Sequence, residues 1–209
     1  MNRGHGAAQR TTSRRAMLAG VAATAAAGVA GCLQDNGRLP APVRGDPDAD
    51  VTVMAFEDFA CPHCRDYSLS VVPELAEEYF EPGVVRYEFH DFPIPVADPL
   101  SWQAACAARE AQKRGGDGTF WEYERLLFRN QSELGPPTFE AIGNELDLDG
   151  DAVREAAVEE AHRDTVEADR VMGQNEGVEG TPAVFVDGKA VEPTADAIGS
   201  AIEDARSQS

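Results

Sequence analysis

Lysine is nearly absent from this sequence, which has 209 residues but only two lysines, Lys113 and Lys189. Lysine and arginine together number 18 against 37 acidic residues, so the formal net charge at pH 7 is −19. A surface with this excess of negative charge repels the phosphates of nucleic acids and the headgroups of anionic membranes. The composition therefore argues against both as direct binding partners.

Cysteine is also scarce, and a small secreted domain held together by disulfides would need more of it. The sequence has neither a second C-x-x-C motif nor an H-x-x-x-H motif, although a tetrahedral zinc site needs four protein ligands, or three plus water. Haem attachment is excluded because Arg65, not histidine, follows the C-x-x-C motif. A metal-binding chaperone remains the weaker alternative, and its ligands would be Cys61, His63 and Cys64. The four cysteines are Cys32, Cys61, Cys64 and Cys106.

Long apolar runs are missing as well. The alanine- and glycine-rich stretch that ends at residue 31 is too short and too weakly apolar for a membrane span of about 20 residues. It follows S-R-R-A-M-L at residues 13–18, which matches a twin-arginine export signal, and it ends in V-A-G-C at residues 29–32, which resembles a lipoprotein processing box. We expect residues 1–31 to be a signal peptide and Cys32 to be lipidated on the outer side of the cytoplasmic membrane. Plain cleavage and an uncleaved anchor are the alternatives.

Arginine makes up sixteen of the 18 basic residues. This preference, together with the excess of acidic residues, resembles the proteins of salt-loving archaea, where high ionic strength screens the self-repulsion of the surface. An ordinary acidic protein is the alternative. With the export signal, the resemblance implies a haloarchaeal type of exported lipoprotein that is anchored to the membrane through its lipid.

The chain after the signal divides into a linker and a folded region. Residues 32–50 are rich in glycine, proline and aspartate without an apolar period, which predicts a flexible tether. Residues 51–56 form an apolar run typical of a buried strand, and residues 65–80 carry apolar side chains at every fourth position, as a helix kinked at Pro73 would. Residues 84–90 alternate like a second strand, so a βαβ unit with a parallel sheet is expected.

The region from about residue 97 to residue 177 is predicted to be helical. Four helices are predicted, with breaks at glycine and proline clusters between them. The first is rich in alanine and ends at Lys113, and the others span residues 120–130, 138–146 and 151–172. So many helices between strands indicate an inserted helical subdomain. Asp187-Gly188 then separates two short apolar runs, which predicts a two-residue hairpin, and a final helix follows Pro193.

The motif Cys61-Pro62-His63-Cys64 stands between the first strand and the helix that follows it. The first turn of a helix presents free N–H groups and a partial positive charge, which favour a thiolate over a thiol. Export adds an oxidising compartment in which disulfides persist. The pattern therefore indicates reversible dithiol–disulfide chemistry.

The order of these elements resembles the DsbA-like branch of the thioredoxin fold, over about residues 50–206. Thr181-Pro182 matches the cis-proline loop of that family, which packs against the active-site disulfide and offers backbone groups to a substrate peptide. The resemblance implies an α/β protein with a thioredoxin domain at residues 51–209, a helical insertion at about residues 97–177, no cofactor and a monomeric state. The disulfide oxidases of this branch typically carry Pro-His between their cysteines.

The resemblance also assigns roles to residues. Cys61 is the expected nucleophile, exposed at the start of the helix, and Cys64 is the shielded resolving cysteine. Exported proteins with thiols are the expected substrates, and a membrane-bound or soluble redox partner would restore the disulfide. A reductase of the same fold is the alternative, because it differs only in potential and electron partner. The expected supporting residues are Pro62, His63, Thr181 and Pro182.

One position departs from the family pattern. Many relatives carry a buried acid six residues before the first cysteine, where this chain has Ala55. Glu57 and Asp58 are the candidate substitutes, but strand alternation places their side chains on opposite faces, so the choice between them stays open. Cys106 is expected to be a small buried residue, with a regulatory or intermolecular role as the alternative.

Overall fold

The computed structural model describes residues 37–95 and 97–208, and the five strands in this part of the chain form one mixed sheet in the order β1-β3-β2-β4-β5. The predicted signal peptide and Cys32 lie outside the described residues. The architecture is the expected α/β arrangement, with the helical insertion between β3 and β4. The strands are β1 (Val43–Gly45), β2 (Val51–Glu57), β3 (Val85–Asp91), β4 (Ala183–Val186) and β5 (Lys189–Val191).

The two central strands, β2 and β3, run parallel, which confirms the predicted βαβ unit. Their register pairs Val53 with Tyr87 and Ala55 with Phe89, and all four residues are buried in the main core. Phe56 points to the opposite face of β2 and belongs to a second, smaller core cluster. Because both faces of β2 are covered, its sequence is an apolar run without alternation.

The segment after β2 is one helical stretch in which α-helical and π-helical turns alternate. It consists of α1 (Pro62–Asp66), a π-helical turn (Tyr67–Val71), α2 (Val72–Leu75) and a second π-helical turn (Ala76–Phe80). Pro73 has no N–H to donate, yet the backbone remains helical through it. The wider turn before Pro73 closes through a hydrogen bond from the N–H of Val72 to the carbonyl of Tyr67.

The helical insertion contains α3 (Leu100–Arg129), α4 (Pro136–Glu145), α5 (Gly150–Val158) and α6 (Arg163–Asn175). The predicted break at Gly115-Gly116 is confirmed as a kink inside α3, where Gly116 has φ 78° and ψ −174°. The prediction of one helix over residues 151–172 is wrong, because the chain turns between α5 and α6 with Glu160 at φ 49°. No helix in the described part of the chain combines the length and the apolar character of a membrane span.

The C-terminal elements follow the prediction closely. Strands β4 and β5 pair antiparallel, and both residues of the connecting turn, Asp187 and Gly188, have positive φ angles (46° and 74°). This is the backbone conformation that a type I′ hairpin requires. The last helix, α7 (Ala195–Arg206), begins after Thr194, whose hydroxyl accepts a hydrogen bond from the N–H of Ala197.

The prediction of a flexible tether over residues 32–50 is wrong from residue 39 onward. The N–H of Leu39 donates to the hydroxyl of Thr165 at 3.1 Å, and the carbonyl of Pro40 accepts hydrogen bonds from Arg109 and Gln112. Strand β1 then pairs antiparallel with β3 at the edge of the sheet. Every one of these contacts is made with a distant part of the chain, so the local composition gave no sign of them.

A buried ion network ties the insertion to the sheet. Arg109 of α3 is fully buried and donates to Asp91 of β3 at 2.6 Å and to Asp169 of α6 at 2.5 Å. His90 lies 3.4 Å from Asp169 and 3.1 Å from Glu88. Burial alone would disfavour its charged form, but the two carboxylates raise the pKa of His90 to about 9. The network has a structural role and makes His90 a satisfied core residue.

Candidate active site

The 61–64 motif lies where β2 ends and α1 begins, and Asp58 shapes the loop between them. The Asp58 carboxylate accepts hydrogen bonds from the N–H groups of Ala60 and Ile94, both at 2.8 Å. Its backbone carbonyl accepts the N–H of Cys61 at 3.0 Å. Burial raises the pKa of Asp58, while the two backbone N–H groups act in the opposite direction. Asp58 therefore holds the loop in place.

Cys61 is the N-cap residue of α1, and Pro62 occupies the first helical position, where a missing N–H costs nothing. Both cysteines of the motif are free thiols, so the structure describes the dithiol form. The Cys61 thiol donates to the carbonyl of Thr181, with Sγ and O 3.4 Å apart. Cys61 is only 4% exposed, so the expectation of an exposed first cysteine is wrong for this form. Cys64 has no exposed surface, as expected.

The two sulfur atoms have opposite acid–base properties. A hydrogen bond from the Cys64 thiol lowers the pKa of Cys61 to about 5, against the effect of burial, and the backbone N–H groups of His63 and Cys64 add to the lowering. Burial raises the pKa of Cys64 far above its ordinary value, and the neighbouring Cys61 and Glu57 raise it further. At neutral pH the site therefore holds a thiolate at Cys61 and a protonated thiol at Cys64.

His63 contributes to the site through its backbone. His63 was expected to support the site, and it does so through its N–H group, which helps to lower the pKa of Cys61, while its side chain is exposed. Among residues 37–95 and 97–208, no cluster of three or more histidine, cysteine or acidic side chains is arranged to hold a metal ion. Cys106 is fully buried on α3, and burial raises the pKa of its thiol to about 12.

The Thr181-Pro182 peptide bond is cis, as the resemblance implies. This loop forms one wall of an open groove of about 570 Å³ beside Cys61. We call it the front groove; it is lined by His63, Asp66, Tyr67, Ser70, Val71, Thr181, Pro182 and Pro193.

Gln131, just after α3, clamps the active-site loop from the helical insertion. Its side-chain amide donates to the carbonyls of Phe59, at 2.8 Å, and Cys61, at 2.9 Å. Gln131 was not among the residues expected at the site, because a single polar residue in a loop carries no signal of a contact seventy positions away. The clamp fixes the orientation of the peptide that carries the reactive cysteine.

The structure distinguishes between the two acids near Ala55. Glu57 lies on the same face of β2 as Val53 and Ala55, which belong to the core cluster that also holds Cys64. It is 1% exposed, and its Oε2 atom has no hydrogen-bond partner in the described residues. Burial raises the pKa of Glu57 well above its ordinary range, with further contributions from Glu124 and Cys61.

A second buried acid, Glu124 of α3, was missed by the sequence analysis. Its carboxylate accepts a hydrogen bond from the hydroxyl of Ser68, and it is 5% exposed. Burial raises the pKa of Glu124 to about 7. The available signal was its position between Phe120 and Phe128, one turn away on each side, which places an acid on the apolar face of the helix.

Comparison with known proteins agrees with this geometry. A family model described as Thioredoxin matches residues 38–204. The probable disulfide bond formation protein D of Bacillus cereus is 31% identical over 169 residues, which cover 76% of each chain. A sodium/proton antiporter, NhaA 3 of Salinispora tropica, is 35% identical over 147 residues, but the match covers 70% of this chain and only 22% of the antiporter. The chain thus spans about a fifth of that relative.

Solved structures of disulfide-exchange proteins have a similar fold. BdbD of Bacillus subtilis in its oxidised form superposes with a TM-score of 0.73 at 25% identity, covering 79% of this chain and 92% of that structure. DsbA of Chlamydia trachomatis gives a TM-score of 0.70 at 18% identity, covering 80% and 90% of the two chains, which supports the fold alone. The chain therefore belongs to the thioredoxin family, within its DsbA-like branch of thiol–disulfide oxidoreductases.

Proposed function

We propose that this protein oxidises pairs of thiols in exported proteins, through a disulfide between Cys61 and Cys64. The observation that carries the proposal is the opposite displacement of the two thiol pKa values, with Cys61 lowered to about 5 and Cys64 raised by burial. A stabilised thiolate favours the dithiol form of the protein. The disulfide form is correspondingly ready to accept electrons from a substrate.

The first step is attack by a substrate thiolate, held in the front groove, on the sulfur of Cys61. A mixed disulfide forms between the substrate and Cys61, and the bond to Cys64 breaks. A second thiolate of the substrate then attacks the substrate sulfur of the mixed disulfide, which releases the oxidised substrate and leaves Cys61 as its stable thiolate. Two electrons pass from the substrate to the protein, and a redox partner must remove them to restore the disulfide.

Cys64 leaves the first step as a thiolate in a site that strongly favours the protonated form. We assign Glu57 as the acid that supplies the proton, because it is buried on the same face of β2 as the core cluster that holds Cys64, and burial raises its pKa well above its ordinary range. When the disulfide is restored, the same carboxylate takes the proton back. Glu57 would thus fill the role of the acid that the family carries at the position of Ala55.

We also propose that the protein acts outside the cytoplasm, bound to the membrane through a lipid on Cys32. The twin-arginine motif at residues 13–18 and the V-A-G-C sequence at residues 29–32 support this location. The chain is anchored to α6 from Leu39 onward. The seven residues from Cys32 to Leu39 can span at most about 25 Å. A lipid on Cys32 would therefore hold the domain close to the membrane surface.

The acidity of Cys61 is directly measurable. We expect the rate at which Cys61 is alkylated by iodoacetamide to titrate with a midpoint of about pH 5, followed by mass spectrometry of the peptide that contains it. In Cys64→Ala the midpoint rises, because the hydrogen bond from Cys64 is the largest cause of the lowering. Cys106→Ala is the matched control and leaves the midpoint unchanged. A wild-type midpoint near 8.5, the ordinary cysteine value, would contradict the proposal.

The division of labour between the cysteines predicts two different variant phenotypes. In Cys61→Ser the rate of oxidation of a dithiol peptide should fall to the background rate, because no sulfur remains at position 61 for the substrate to attack. Cys64→Ser, incubated with a disulfide such as oxidised glutathione, should accumulate a covalent adduct at Cys61, visible as a reducible mass increase: the Cys61 thiolate displaces one glutathione thiolate from the disulfide, and no second cysteine is present to displace the other. Full activity in Cys61→Ser would contradict the assignment of Cys61 as the sulfur that the substrate attacks.

The lipid anchor predicts a clear fractionation result. In a native or closely related host, the wild-type chain should sediment with membranes and incorporate a labelled fatty acid. Cys32→Ser should lose the label and appear in the soluble extracytoplasmic fraction, while Cys106→Ser behaves as wild type. Identical fractionation of the wild-type chain and Cys32→Ser would contradict the proposed lipid anchor on Cys32.

A further inference from the structure

The active-site helix separates two grooves. On the side opposite the front groove lies a second opening of about 610 Å³, which we call the rear groove. Asp66 and Ser70 line the front groove, whereas Ser68 and Val72 line the rear groove. Residues two positions apart point to nearly opposite sides of a helix. The rear groove is also lined by Arg44, Trp121, Glu124 and Arg125.

The buried cysteine has a residue of the rear groove as its neighbour along this helix. Cys64 and Ser68 are four positions apart, so their side chains are neighbours on one face. The Ser68 hydroxyl donates to the carboxylate of Glu124, and both of these side chains reach the wall of the rear groove. Cys64 and Glu57 are enclosed in the core, with exposures of 0% and 1%. Ser68 and Glu124 are therefore polar side chains that lie close to Cys64 along the helix and also reach the rear groove.

We propose that Glu124 and Ser68 form the outer end of a proton route that connects Cys64 and Glu57 with solvent in the rear groove. This inference rests on the proposed role of Glu57. After Glu57 gives its proton to the Cys64 thiolate, the new Glu57 carboxylate receives a proton from Glu124. Glu124 is then protonated again from water in the rear groove, so one proton has moved inward and no other bond has changed. The route runs in reverse when the disulfide is restored.

The electrostatics of Glu124 suit this task. Burial raises its pKa to about 7, while the Ser68 hydroxyl, Arg44 and Arg125 lower it, so the carboxyl exchanges protons near neutral pH. A charge on Glu124 also raises the pKa of Glu57, which favours one shared negative charge over two. The titratable and charged groups that face Glu124 are Glu57 of β2, Arg44 of β1, Arg125 of α3, Tyr67 of the active-site helix and Tyr87 of β3.

The test measures reduction of the oxidised full-length protein by glutathione, with rate constants expressed per glutathione thiolate. In the wild type this rate constant should fall as the pH rises through about 7, where Glu124 loses its proton. In Glu124→Gln the inflection should disappear, with a rate at low pH reduced roughly tenfold, less than the loss of a directly acting acid. Added imidazole, small enough for the rear groove, should restore the rate.

Glu122→Gln is the matched control, because Glu122 is an exposed acid of the same helix and lines the same groove. It should keep the wild-type profile and gain nothing from imidazole. Ser68→Ala provides a second test that does not depend on the folding of Glu124→Gln. Loss of the Ser68 hydrogen bond removes a contact that lowers the pKa of Glu124, so the inflection should move to higher pH.

An unchanged inflection in Glu124→Gln, or in a Ser68→Ala protein, overturns the route. If Glu57→Gln slows the reaction while Glu124→Gln does not, the role of Glu57 stands and the rear exit is wrong. If Cys61→Ser is active, the proposed function itself fails, independently of either acid. The alkylation midpoint of Cys61 should stay near its wild-type value in Glu124→Gln, which shows that the front of the site is intact.

Discussion

Stabilisation of the Cys61 thiolate by the neighbouring Cys64 thiol is the interaction on which the proposed chemistry depends. Cys64 is completely enclosed, so its thiol keeps its proton, and this S–H group stabilises negative charge on the sulfur of Cys61. Burial of one sulfur thereby stabilises negative charge on the other, and the N–H groups at the start of α1 add to the effect. This interaction exists only in the dithiol form. The arrangement favours that form over the disulfide, which is the property an oxidant of thiols needs.

The rest of the fold maintains this asymmetry. The end of β2 delivers the motif, and the Asp58 carboxylate closes the loop that precedes it. The helical insertion supplies Gln131 against the loop and Glu124 behind the helix, so it takes part in the site and does more than cover the sheet. Thr181 covers the reactive sulfur from the opposite side. On the proposals made above, the substrate and the proton reach the site from opposite sides of one helix, so a bound substrate would not block the proton exchange of Cys64.

Local signals in the sequence predicted the parts of the fold that depend on local physics. The buried strand β2, the cysteine motif at a helix start and the Asp187-Gly188 hairpin all have short-range signatures, whereas the cis bond before Pro182 was expected from the family resemblance. The predictions fail where contacts between distant parts of the chain determine the local structure. Strand β1 exists because it pairs with β3, and the turn before α6 places Glu160 in a left-handed conformation without a glycine to mark it. Glu124, the acid on the apolar face of α3, could be placed at the site only once the structure showed its contact with Ser68.

The reduction potential of the Cys61–Cys64 couple tests the central claim most directly. It can be measured by equilibrating the protein with mixtures of oxidised and reduced glutathione and following the fraction of free thiol. The account predicts a potential closer to the value of about −120 mV found for DsbA than to the value of about −270 mV found for thioredoxin. A potential at or below the thioredoxin value would mean that the Cys61 thiolate is not stabilised enough to drive oxidation, and the protein would then be a reductase.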